Sequence, residues 1–150
     1  MAYMKKFLDI QTIGFDKVNQ QRHVLYLKDK AHTLELMRQR GAIMGPKFRA
    51  VVNTLDEQIA PLEIASWTHP KGGYFVSLDA MSGTAKRTLA LCKEAGVTMT
   101  GAGAAFPYGK DPGDSNIRIA PSMPSVEDLD KAIRVFCTCL RMAALEKLGV

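Results

Sequence analysis

Apolar residues recur at two spacings along this chain, and the change from one to the other divides it. The stretch "YMKKFLDI" is a short amphipathic piece, and "QTIGF" after it places a turn at Gly14. Asp16 is positioned to cap a long helix in which Val18, Leu25, Ala31, Leu34 and Met37 recur at roughly helical spacing. Gly41 and the pair Gly45-Pro46 interrupt that pattern. Pro46 either sits in the first turn of a second helix carrying Phe48, Val51, Val52, Leu55 and Ile59, or is passed by one long helix with a kink. Pro61 ends it in both cases.

Beyond Pro61 the runs shorten to strand length. "LEIASWTHP" and "GGYFVSLD", joined by "PKGG", read as a hairpin. "GTAKRTLALCKEAG" reads as a helix with Ala85, Leu89 and Cys92 on one face and Gly96 as its stop. "VTMT" reads as a short strand, the glycine-rich and proline-rich "GAGAAFPYGKDPGDS" as a loop, and "NIRIAP" as the next strand. Ser125, with Asp128 three residues on, opens the last helix in the manner of a capping box, and Leu129, Ile133, Phe136, Leu140 and Ala144 form its apolar stripe. The predicted fold class is α+β, a small, largely antiparallel sheet covered by helices and preceded by a long helix or two consecutive helices.

Composition narrows the class. The chain has 150 residues, 47% of them hydrophobic and 23% charged, enough for one ordinary core. It contains no apolar run of membrane-spanning length, and its first residues lack a secretory signal core, so no membrane association and a cytoplasmic location are expected. Cys92, Cys137 and Cys139 have no framework spacing, which suits a reducing compartment. Cys137 and Cys139 stand two apart on the last helix, about 200° around its axis, and read as small buried hydrophobes, not as metal ligands.

The net charge of +5 raises the question of nucleic acid. Residues 1–60 hold ten Lys and Arg against six Asp and Glu, but the two signs are interleaved as on a solvated helix face. No nucleic-acid motif accompanies them, and no nucleic-acid partner is expected.

Candidate chemistry is sparse. Gly101 and Gly103 suggest a dinucleotide loop, yet Phe106 stands where its third glycine belongs and no helix follows. His23, His32 and His69 show no metal-ligand spacing, no nucleophile turn of the GxSxG kind is present, and Lys71 sits in a polar hairpin turn where its amine stays hydrated. No covalent catalyst is evident. Arg118 is the exception, a guanidinium between two isoleucines in "NIRIAP". Stripping its hydration costs several kcal/mol unless an anion or carbonyls replace the water. Two readings stay open: an edge-strand arginine facing solvent or paired with Asp114, or a fork that grips a carboxylate through two parallel charge-assisted hydrogen bonds.

The combination of "HPKGGYFVSLD", "GAAFPYG" and "NIRIAPS", followed by a capped amphipathic helix, resembles the C-terminal domain of class I, fold type I aminotransferases dependent on pyridoxal phosphate. Within them it is most similar to the bacterial aspartate-aminotransferase-like group related to MocR proteins, and "IQTIGFDKVNQQRH" and "CKEAGV" extend the likeness over nearly the whole chain. The resemblance implies that Arg118 binds the α-carboxylate of an amino acid or 2-oxo acid substrate, with Tyr74 and Phe75 along the substrate side and Phe106 on a loop near the mouth. It implies residues 1–16 as a remnant of a large-domain or interface segment and residues 17–150 as the small domain. The large domain that supplies the phosphate-binding loop and the Schiff-base lysine lies upstream of the matched region, so no catalytic residue, no tight cofactor binding and no transaminase activity are expected of this chain alone. Pyridoxal phosphate, homodimer formation and amino-group transfer, with aspartate or glutamate among the candidate donors, belong to the implied longer protein. Exposed apolar surface around Phe7, Leu8, Ile10 and Ile13 is a further expectation. The rival reading is a stand-alone, cofactor-free module that binds a small carboxylate or a protein partner.

Overall fold

A computed structural model describes every residue except Ile13. It divides into two compact units, Met1–Arg40 and Gly41–Val150.

The first unit contains α1 (Ala2–Thr12), α2 (Lys17–Leu27) and the start of α3 (Lys30–Gln58). No residue of α1 or α2 is buried. Phe7, Leu8 and Ile10 are exposed, as the resemblance implies, and Ile13 lies outside the described residues. Asp16 caps α2, its carboxylate accepting the Asn19 N–H at 2.9 Å. The helix that begins there is shorter than its apolar spacing predicts. Lys28 takes a φ of 57°, which breaks the helical path. Asp29 then starts the next helix, accepting the His32 N–H at 2.8 Å. The break therefore falls before the glycines, and α3 continues through Pro46.

The second unit holds the core. After α3, a 3-10 turn at Ala60–Leu62 containing Pro61 leads into β1 (Ala65–Trp67), and β2 (Val76–Ala80) returns antiparallel to it. Then come α4 (Ala85–Glu94), β3 (Asn116–Ile119) and α5 (Val126–Leu148). The three-stranded sheet has the order β1-β2-β3 and is antiparallel throughout, as the α+β reading expects. "VTMT" is not a strand: after Gly96, with its φ of 85°, stops α4, Val97–Thr100 pairs with no other strand. Ser125 caps α5 by accepting the Asp128 N–H at 3.1 Å, and its hydroxyl donates to the Asp128 carboxylate at 2.7 Å. That is a capping box with the reciprocal bond made between side chains.

The core follows from alternation. Val76, Leu78, Ala80, Ile117 and Ile119 are buried, as are Val51, Leu55 and Ile59 of α3 and Leu129, Ile133, Phe136 and Leu140 of α5. Cys92, Cys137 and Cys139 are buried and unpaired. None of the described helices is long and apolar enough to cross a membrane.

Candidate carboxylate-binding site

Period-two geometry sends the remaining strand residues to the other face of the sheet. Phe75, Ser77 and Asp79 lie on that face from β2 and its approach, and Asn116 and Arg118 from β3, with Ser77 opposite Arg118 and Asp79 opposite Asn116. β3 is an edge strand, but Arg118 is half-buried and its Nε is closed to solvent. That Nε–H has no hydrogen-bond partner. The guanidinium carbon sits 4.4 Å from the centroid of the Phe75 ring, so an aromatic face supports one side of the cation. A ring quadrupole does not replace an acceptor, and a buried N–H left unpaired costs about 1–3 kcal/mol.

Asp114 does not provide the acceptor. It takes the Lys86 N–H at 3.2 Å and stands 3.9 Å from the Lys86 ammonium. Of the alternatives for Arg118, pairing with Asp114 therefore disagrees with the geometry. A planar guanidinium with no internal acceptor is complementary in shape and charge to a planar anion such as a carboxylate.

β3 is pinned at both ends, which fixes where the fork points. At its start the Asp111 carboxylate accepts N–H bonds from Gly113 at 2.9 Å and from Ser115 and Asn116 at 2.8 Å. The Asn116 and Ser115 N–H groups are the main reason its pKa lies below the ordinary aspartate value. The carbonyls of Gly113, Asp114 and Ser115 accept from Gly83, Ala85 and Ala80, tying the segment to the start of α4 and the end of β2. Past its end, Pro121 is buried and the Lys47 ammonium donates to the Ser122 carbonyl at 2.7 Å. Gly103 belongs to the same loop, where a Cβ would fall on the Gly109 carbonyl.

The other residues singled out from sequence are spread out. Tyr74 adjoins Phe75 and is 65% exposed. Phe106 opens the 3-10 turn Pro107–Gly109, its N–H donating to Gly103. Among the described residues only the Phe75 ring stacks on the Arg118 cation. Burial pushes the Cys92 and Cys137 thiols up to about 12, so neither supplies a thiolate nucleophile near neutral pH. Asp111 and Asn116 were not singled out from sequence, although "DPGDSN" carries the signal of an aspartate heading a proline-glycine turn.

Pyridoxal phosphate would need a lysine amine and an anchor for its phosphate. The sheet face around Arg118 offers Phe75, Ser77, Asp79 and Asn116, with no amine among them. These residues fit a carboxylate and do not fit the cofactor.

The family model described as aspartate amino-transferase matches residues 1–150. A relative from Mycolicibacterium smegmatis is 49% identical over 148 residues, which cover 99% of this chain and 35% of that protein. An aspartate aminotransferase of Corynebacterium glutamicum is 45% identical over 137 residues, 91% of this chain and 32% of its own length. The crystal structure of an aspartate transaminase from Corynebacterium glutamicum superposes with a TM-score of 0.87 at 42% identity, covering 97% of this chain and 34% of that one. The chain thus spans about a third of the length of the relatives it matches.

Proposed function

The chain belongs to the aspartate aminotransferase family, and on that premise we propose that it is the substrate-carboxylate-binding part of a pyridoxal-phosphate-dependent aminotransferase. The observation that carries this reading is the buried, unpartnered Nε of Arg118 over the Phe75 ring. In the longer protein the substrates are an amino acid and a 2-oxo acid, aspartate and glutamate being candidate donors. The cofactor and the lysine that works with it come from residues outside this chain. Residues 1–16 belong there to a large-domain or interface segment and residues 17–150 form the small domain of a cytoplasmic homodimer.

Arg118 anchors and orients. Two parallel N–H bonds from the guanidinium fix the plane of the α-carboxylate, and with it the direction of the adjoining Cα–H bond. Holding a reactant in one attitude is worth several kcal/mol of barrier without any proton leaving the arginine. Phe75 braces the planar cation and excludes water from one side, while Tyr74 and Phe106 line the approach. No residue of this chain is assigned the proton transfer.

The test is to mix the purified chain with pyridoxal phosphate, aspartate and 2-oxoglutarate and to assay oxaloacetate and glutamate. No turnover is expected. Turnover that survives removal of contaminating enzymes overturns the reading, because a lysine of this chain would then be doing the chemistry.

A further inference from the structure

Resting on that reading of Arg118, we infer that Asn116 is a positioning residue that holds the Asp79 carboxylate away from Arg118 and so keeps the guanidinium open for a substrate. The register places Asp79 opposite Asn116 and Ser77 opposite Arg118, which makes Asp79 and Arg118 diagonal neighbours on one face of the sheet. Diagonal neighbours in an antiparallel pair are about 7–8 Å apart, their Cβ atoms somewhat closer, within reach of long side chains. Arg118 is long enough to span that diagonal, and an aspartate that its fork reaches can pair with it through two hydrogen bonds. Here it does not.

The buried Asn116 amide accounts for this. Its Nδ2 donates to Asp79 Oδ1 at 2.8 Å and to Ser77 Oγ at 3.0 Å, which commits both N–H groups to side chains of β2. The amide thus ties the carboxylate to the residue directly across from it, and the Ser77 hydroxyl fixes the plane of the amide. The other acids beside β3 are occupied as well, Asp111 by backbone N–H groups and Asp114 by Lys86. A substrate carboxylate therefore meets no internal competitor at Arg118. Loss of the amide releases Asp79 to become one.

The test compares Asn116→Ala with Asn116→Ala/Asp79→Asn in the full chain. Calorimetric titration with 2-oxoglutarate reads affinity, and the Arg118 Nε–H cross-peak in a 15N-labelled sample reads internal pairing without ligand. Asn116→Ala is expected to weaken binding about twofold to fivefold, the strength of a partly exposed ion pair acting as competitor. Its Nε–H signal should shift and exchange more slowly with water. The second substitution should restore both. A double variant as weak as the single one overturns the inference, since Asn116 would then act only through the fold. An unchanged Nε–H signal in Asn116→Ala overturns it too. A wild-type chain that takes no 2-oxoglutarate overturns the carboxylate reading alone, because the Nε–H signal needs no ligand. If Asn116→Ala does not fold, Asn116→Val removes both amide donors while keeping a side chain suited to a strand.

Discussion

The two faces of the sheet are built from alternate residues of the same strands and end in opposite conditions. On one face Val76, Leu78, Ile117 and Ile119 are buried, sealed by the chain's own helices. On the other, Ser77, Asp79, Asn116 and Arg118 form a polar surface beside Phe75, tied together by the Asn116 amide, and among the described residues the Arg118 Nε is the one buried side-chain polar atom without a hydrogen-bond partner. The first face uses up its chemistry in folding; the second keeps one donor in reserve. Stability and recognition therefore separate by a single step along β3, and exchanging Ile117 damages something different from exchanging Arg118.

The largest effect tests the sealed face. Ile117→Ala should lower unfolding free energy by about 2–5 kcal/mol in urea melts, as buried aliphatic truncations do, while the remaining folded molecules bind a 2-oxo acid as before. Affinity that falls in step with stability would merge the two faces into one property.

The next concerns Asp111, which serves both faces by fixing the start of β3. Its folded pKa is lowered because the charged carboxylate accepts the Asn116 and Ser115 N–H groups. A group lowered in the folded state binds its proton more readily in the unfolded chain, so the stability it contributes is complete above the ordinary carboxylate range. It is lost as pH falls below about 4 and through the lowered value. Asp111→Asn should remove part of the acid-induced loss of melting temperature, leaving the part due to Glu35, Asp130 and Glu146, which are lowered by their arginine partners. An acid limb identical to that of the wild type would contradict the clamp.

The smallest effect sharpens the open face. Phe75→Leu keeps an apolar side chain but removes the ring under Arg118, and a contact of this kind is worth about 0.5–1 kcal/mol at an exposed site. Carboxylate affinity should drop about twofold to fivefold with little change in melting temperature.

Much of this was legible in the sequence because local chemistry fixed it. The hairpin, the α5 stripe and the Ser125 cap follow from alternation, helical spacing and one hydroxyl. The α2–α3 break was hidden because Asp29 resembled one more charge on a solvated face, although it is a cap. "VTMT" has strand composition but follows a glycine stop and pairs with no strand, and composition does not reveal an absent partner. Arg118 stood out as a charge between isoleucines. What sequence left open was whether Asp114 paired with it, which the Lys86 contacts decide. Asn116 was silent because its role depends on Ser77 and Asp79, thirty-nine and thirty-seven residues away.

The most direct measurement is a calorimetric titration of the chain and of Arg118→Ala with 2-oxoglutarate at low ionic strength. Saturable binding is expected, and Arg118→Ala should abolish it while lowering the unfolding free energy by no more than about 1 kcal/mol. Binding that persists undiminished in Arg118→Ala would contradict that expectation, because the guanidinium on the open face, which has no internal acceptor, would then not be where the carboxylate goes.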